Sequence, residues 1–289
     1  MADLYRFITT DGLCSVTAID STDIVAEAEK IHKTSAVITA GLGRLLTAAS
    51  MMGIALKGED NTLTIRVRGD GEAECLIACA DPQGNVKGYP GNPVVELPLN
   101  NKGKLDVGGA VGKGTLSVSK DLGLKEPYNG TIELVSGEIA EDIAAYYAIS
   151  EQIPTVCALG VLVNPDLTVN CAGGYIIQLL PAAGEDTIDK LEESIKGLPS
   201  VTRMLSMGMK APDIAKKAMH LFELELLDES HPTYKCDCSV EKVERALLGM
   251  GKEDLLKLAD EQPDTVADCH FCNKKYHFSS DDLRKLAKR

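Results

Sequence analysis

The chain has no tryptophan and only four phenylalanines among its 289 residues. Large aromatic anchors are scarce, so any core must be built from aliphatic and small side chains. Long apolar runs are missing as well. None approaches the roughly 18 residues that span a bilayer, which predicts no membrane segment. At the N-terminus, MADLYRFITTDG carries Asp3, Arg6 and Asp11 where a signal peptide needs an uninterrupted apolar stretch. A basic surplus is also absent from a chain of net charge −13. Residues 1–180 hold 13 basic and 22 acidic side chains, residues 181–235 hold 7 and 10, and residues 236–289 hold 10 and 11. No region offers an electrostatic footprint for a phosphate backbone, which excludes nucleic acid as an expected partner. The expected compartment is the cytoplasm.

Hydrophobic residues at 44% and charged residues at 25% place the chain among ordinary globular proteins. Its length allows one large domain and one smaller one. Residues 1–180 read as an α+β core domain. Val-, Ile- and Thr-rich strands are predicted over 4–9, 15–19, 63–68, 74–80, 115–120, 130–136, 155–163 and 169–180. The Asn164-Pro-Asp166 turn joins the last two as a hairpin. Helices are predicted over 23–33 (with Ser21 or Thr22 as cap), over 35–56 and over 138–151. The second is rich in Gly and Ala, which lets another backbone come close.

From Pro181 the texture changes. Residues 184–230 lack strand signals and read as short helices broken at Gly197-Leu-Pro199, Gly208 and Pro212. Leu191, Ile195 and Leu198, then Met219, Phe222 and Leu226, give them apolar stripes. Short helices need a partner surface for such stripes, so residues 181–235 are expected to be a metastable helical linker docked on the core. Met204, Met207, Met209 and Met219 fall here and suit changeable apolar contacts.

Nine cysteines in a reducing compartment are expected to be thiols, and a cluster of them there more often binds metal than forms lasting disulfides. Cys236-Asp-Cys238 and Cys269-His-Phe-Cys272 stand thirty residues apart. Two close pairs at that distance suit one tetrahedral four-thiolate zinc site. Helices are expected over 240–249, 253–261 and 280–288, the last capped by Ser279 or Ser280. A module of this size has too little core to fold without a staple. A four-cysteine site has no open position for substrate, so zinc hydrolysis is not expected. His270 and His277 are alternative ligands, and Lys235, Lys274 and Lys275 are near in sequence to offset the thiolate charge. Each pair is also short enough to close on itself when oxidised, because the first sulfenic acid has a resolving thiol beside it. On spacing alone, a plain structural staple and a redox switch both fit.

The other five cysteines read as structural. Cys75 and Cys79 share one face of a strand about 13 Å apart, too far for one metal. Cys14, Cys157 and Cys171 sit in or beside apolar strands as small hydrophobes. Gly108–Thr115, GGAVGKGT, is not a phosphate loop: Val107 stands where the first glycine is required, and Gly114 replaces the Ser/Thr.

The C-x-C, thirty-residue gap and C-x-x-C resemble the signature of the redox-regulated heat-shock chaperone family of about 33 kDa. The likeness extends through GKGTLSVSKDLGLKEPYNG (112–130), ELVSGEIAEDIA (133–144), GVLVNPD (160–166), GGYIIQLLP (173–181) and CHFCNKKYHF (269–278). The resemblance implies an ATP-independent holdase and no enzyme. It implies one Zn²⁺ per chain on Cys236, Cys238, Cys269 and Cys272 in an inactive, reduced monomer. Oxidative stress then gives disulfides Cys236–Cys238 and Cys269–Cys272, zinc release, unfolding of 181–289, homodimerisation and binding of unfolding client proteins. The alternative is a constitutive zinc-stapled adaptor without a switch.

Overall fold

Short apolar stretches set the first pairings of the chain. In β1 (Asp3–Thr9) burial falls on Leu4, Phe7 and Thr9, in β2 (Cys14–Asp20) it falls on Cys14, Val16, Ala18 and Ile19, and the two strands pair antiparallel from Asp3↔Asp20 to Ile8↔Ser15. The computed structural model describes residues 2–288. These form two compact units that divide between Lys235 and Cys236.

In the first unit, β2 is followed by α1 (Thr22–His32), α2 (Ala36–Gly53), β3 (Thr62–Gly69), β4 (Cys75–Ala80) and β5 (Val86–Pro90). Next come α3 (Val107–Val111), β6 (Gly114–Asp121), β7 (Tyr128–Glu133) and α4 (Ala140–Tyr146). The last turn of that helix widens to a π turn, Tyr147–Glu151. The chain continues through β8 (Thr155–Val163), β9 (Val169–Leu179), α5 (Glu185–Ile195), α6 (Val201–Ser206), α7 (Ala211–Ala218) and β10 (Leu224–Ser230). Two antiparallel five-stranded sheets result, ordered β10-β1-β2-β9-β8 and β5-β4-β3-β6-β7.

Helix α2 packs against strands of both sheets. Its small residues allow this: a Cβ at Gly43 would lie 2.6 Å from Val25 Cγ1, and one at Gly53 would lie 2.7 Å from Ala80 Cβ and from Asp81 O. With 18 residues and a mean hydropathy of 1.3, α2 is long and apolar enough to cross a membrane, which corrects the expectation that no such run exists. It is instead the central core helix, with 89% of that stretch buried.

The first sheet separates two apolar clusters. Leu4, Ile19, Ala172 and Ile176 face α2, while Val16, Ala18, Tyr175 and Ile177 face the opposite way. On that second face they meet Leu191, Met204, Leu205, Ile214 and Ala215 from α5, α6 and α7, and Met219 just after α7. Met207, by contrast, is 70% exposed.

Several expectations need correction. Residues 224–230 form β10, paired to β1 from Leu4↔Ser230 to Thr9↔Leu224, and not a helix. A register shift between Arg6 and Phe7 leaves Leu227 without an opposite residue and breaks the alternation that marks a strand. Leu226 is therefore 55% exposed and belongs to no helical stripe. Strand β5, Val-Lys-Gly-Tyr-Pro, was also hidden, because Gly88 and Pro90 imitate a turn. Ser21 does not cap α1; its hydroxyl bonds to Thr47 Oγ1 at 2.7 Å.

The π turn ends on a half-buried ion pair. Lys120 Nζ reaches Glu151 Oε1 at 2.6 Å, and the Tyr146 hydroxyl donates to the same oxygen. A second polar knot shapes the entry to α4. Buried Asp142 accepts backbone N–H bonds from Val135 (2.7 Å), Ser136 (3.1 Å), Gly137 (3.3 Å) and Ile139 (2.9 Å). Ile139 takes a φ of +74°, a strained choice for a β-branched residue that this carboxylate compensates. Asp142→Ala leaves four N–H groups, two of them buried, without their acceptor. It is expected to lower the unfolding free energy of the first unit by about 3 kcal/mol in a urea titration.

Candidate metal centre

The second unit has little apolar material to hold it. Its buried cluster is Leu247, Leu255, Ala259, Tyr276, Phe278, Leu283, Leu286 and Ala287. These come from α8 (Val240–Leu248), α9 (Lys252–Glu261), the hairpin of β11 (Asp264–Asp268) and β12 (Lys275–Ser279), and α10 (Ser280–Leu286). Ser239 accepts from Lys242 N at 3.3 Å and starts α8 directly after Cys238. Ser279 and Asp282 close α10 with a reciprocal capping box, as the Ser279 reading anticipates. The hairpin escaped sequence reading because its strands are only five residues long and each buries just one or two side chains between exposed ones.

Cys269 and Cys272 occupy the hairpin tip. Cys269 N bonds to Lys274 O (3.0 Å), while Cys272 N and Asn273 N both donate to Cys269 O (3.2 and 2.7 Å). Asn273 at φ +57° completes the tight bend, a conformation asparagine tolerates. The other pair, Cys236 and Cys238, precedes α8. All four Sγ atoms lie within 4.8 Å of one another, and Cys236–Cys269 and Cys238–Cys272 approach to 3.6 and 3.4 Å.

A tetrahedron of sulfurs at about 2.3 Å from a central zinc has edges of about 3.8 Å, whereas a disulfide needs about 2.05 Å. The four sulfurs therefore stand at coordination distance and all four are free thiols. They can hold one metal ion. Neither histidine belongs to this cluster, and His277 Nδ1 is 3.0 Å from Asp264 Oδ2. Of the lysines, Lys274 Nζ lies 5.1 Å above the Tyr276 ring.

Tyr276 is the site residue that sequence reading missed. Its hydroxyl donates to Cys238 Sγ at 3.0 Å. Tyr276 and Phe278 alternate with exposed Lys275 and His277, so a strand assignment over 275–279 would have pointed it inward. Burial works to raise the Cys238 thiol, but the Tyr276 hydrogen bond and the neighbouring thiols outweigh it and bring the group down to about 7. Burial raises Cys236 and Cys272.

The remaining cysteines lie elsewhere. Burial pushes Cys14 up to about 11 and Cys157 up to about 12, and raises Cys171, whose Sγ is 3.6 Å from Thr202 O. Cys75 and Cys79 lie half-buried on β4, and Cys79 Sγ is 3.5 Å from Thr64 Oγ1. Among the described residues none of these five joins a metal-type cluster.

An α+β unit of two antiparallel sheets, followed by a small unit gathered around four cysteines, defines a protein class with a metal-holding C-terminal module. The Hsp33 protein family model matches residues 3–279, and the chain belongs to that family. It is 45% identical to the "33 kDa chaperonin" of Acetivibrio thermocellus, over 99% of this chain and 96% of that protein. It is 49% identical to the protein of that name from Lachnoclostridium phytofermentans, over 93% and 92%. The crystal structure of the 33 kDa chaperonin from Thermotoga maritima matches with a TM-score of 0.90 at 36% identity, over 99% of this chain and 97% of that one.

Tyr276→Phe removes the hydroxyl that donates to Cys238 Sγ and is expected to speed transfer of bound metal from the reduced, metal-loaded protein to a chelator several-fold, because the Cys238 thiolate loses the hydrogen bond that supports its charged form. The absorbance time course of a colorimetric chelator reads it.

Proposed function

We propose that this chain is a redox-regulated, ATP-independent chaperone, a holdase that binds unfolding proteins after oxidation and zinc release. The observation that carries it is four close-set reduced sulfurs in a unit with only a small apolar cluster. Bound zinc would hold Cys236, Cys238, Cys269 and Cys272 as thiolates and tie the two knuckles together. The Tyr276 hydroxyl supports Cys238 in its charged form, and Asn273 and Lys274 hold the turn that presents Cys269 and Cys272.

Peroxide takes two electrons from Cys236 and Cys238 and leaves as water, forming one disulfide. A second equivalent does the same at Cys269 and Cys272. Sulfurs joined in this way no longer serve as a four-thiolate set, so the unit loses its staple. Because metal binding in so small a module is folding free energy, residues 236–289 unfold. The linker, 181–235, follows and uncovers the apolar surface beneath α5, α6 and α7. Residues 1–180 remain as the core domain. The oxidised protein dimerises and holds client proteins in the cytoplasm, without catalysis and without nucleic acid or membrane. Support comes from the family membership and from relatives named chaperonins.

The test is suppression of client aggregation at elevated temperature, with and without peroxide. Strong suppression by the oxidised form and little by the reduced zinc form is expected. Equal suppression by both contradicts the switch and leaves a constitutive zinc-stapled binding protein.

A further inference from the structure

Strand β5 ends the second sheet, so the side of it that does not face β4 is an open edge. Unpaired strand edges invite another chain to add to the sheet. Here the edge is closed by the protein's own residues 233–235. Val86 N donates to Thr233 O (3.0 Å), and Lys235 N donates back to Val86 O (2.8 Å), a parallel bridge centred on Tyr234. One step along the strand, a side chain replaces the backbone. The Tyr234 hydroxyl donates to Gly88 O at 2.7 Å and lies 3.3 Å from Gly88 N. His32 Nε2 supports it, 2.9 Å from Gly88 O and 3.2 Å from the hydroxyl. The next outward residue, Pro90, has no N–H to offer.

The outward N–H and C=O of Val86 and of Gly88 are thus all occupied. Asn85 Oδ1 adds a grip on Thr233, accepting from its N (3.0 Å) and its Oγ1 (3.1 Å). The Tyr234 ring packs, half-buried, against the main apolar cluster. This is how an added strand binds: backbone bonds along the edge and one side chain in a pocket. The cover is short, with two backbone bonds to β5, and the chain runs from Lys235 straight into Cys236. Once Cys236 and Cys238 are no longer fixed, the segment is held from the β10 side alone.

We infer that the β5 edge is a docking edge for an extended segment of client polypeptide carrying an aromatic or large apolar side chain, and that residues 233–235 close it as an internal mimic. This rests on the chaperone reading above. Loss of the metal module vacates the edge, and a client strand takes the places of Thr233, Tyr234 and Lys235.

The experiment uses the full-length protein, activated by peroxide and heat, with reduced carboxymethylated lactalbumin as the unfolded probe. Tyr234→Ala frees the edge, and Val86→Pro loosens the same segment but deletes the outward N–H. Measured first without activation, while the edge of the unsubstituted protein is still closed, Tyr234→Ala is expected to capture the probe about tenfold more tightly than the unsubstituted protein, and Val86→Pro, which lacks the outward N–H, no more tightly than it. Equal capture by the two variants overturns the inference. Should Val86→Pro not fold, hydrogen exchange in the unsubstituted protein decides. The Val86 and Gly88 amides should be protected when reduced, exposed on activation and protected again with probe. Amides that stay exposed with probe bound overturn the docking edge. An activated protein that never captures the probe contradicts the chaperone reading, and the edge falls with it.

Discussion

The convergence of four sulfurs from two knuckles is the constraint on which the C-terminal unit depends. Eight buried apolar side chains, several of them alanine or at the ends of short helices, make up its core. By area alone such a core falls short of the conformational entropy of roughly fifty ordered residues. The sulfur cluster joins the segment before α8 to the tip of the β11–β12 hairpin, sites more than thirty residues apart in sequence. One local interaction thereby fixes a long-range closure, and chemistry that alters the sulfurs acts on the whole unit.

The first unit is built on different terms. Its main cluster is large, with α2 buried between two sheets, and its polar interior is satisfied at Asp142 and at the Lys120–Glu151–Tyr146 group. The elements nearest the cysteine unit in sequence are held more lightly. Helices α5 to α7 are short and share one cluster with the back of the first sheet, and residues 233–235 hold β5 by two backbone bonds and a tyrosine hydroxyl. Short helices and short pairings of this kind are where local opening starts, and in sequence they precede the metal centre.

Much of this was legible in the amino-acid order. The short apolar stretches of β1 and β2, the alternation of β3, the near-continuous apolar runs of β8 and β9 and the small-residue stripe of α2 each reflect a one-body property of a segment, namely how it is buried. The four cysteines were legible because thiol spacing is itself the geometry. What escaped depended on partners distant in sequence. Strand β10 exists because β1 offers it an edge, and Leu227 at the bulge erases its period. Strand β5 contains Gly88 and Pro90, both turn residues elsewhere. Tyr276 became a site residue only when β12 turned it toward Cys238.

The central claim is that one event at the four sulfurs releases the second unit and then the segment leading to it. The direct measurement is zinc release recorded together with proteolytic sensitivity of residues 181–289 during peroxide treatment. The account predicts that about one zinc per chain is lost and that cleavage in 236–289 and then 181–235 rises with it, while 1–180 stays resistant. Zinc loss with no gain in cleavage, or cleavage with the metal retained, would contradict it.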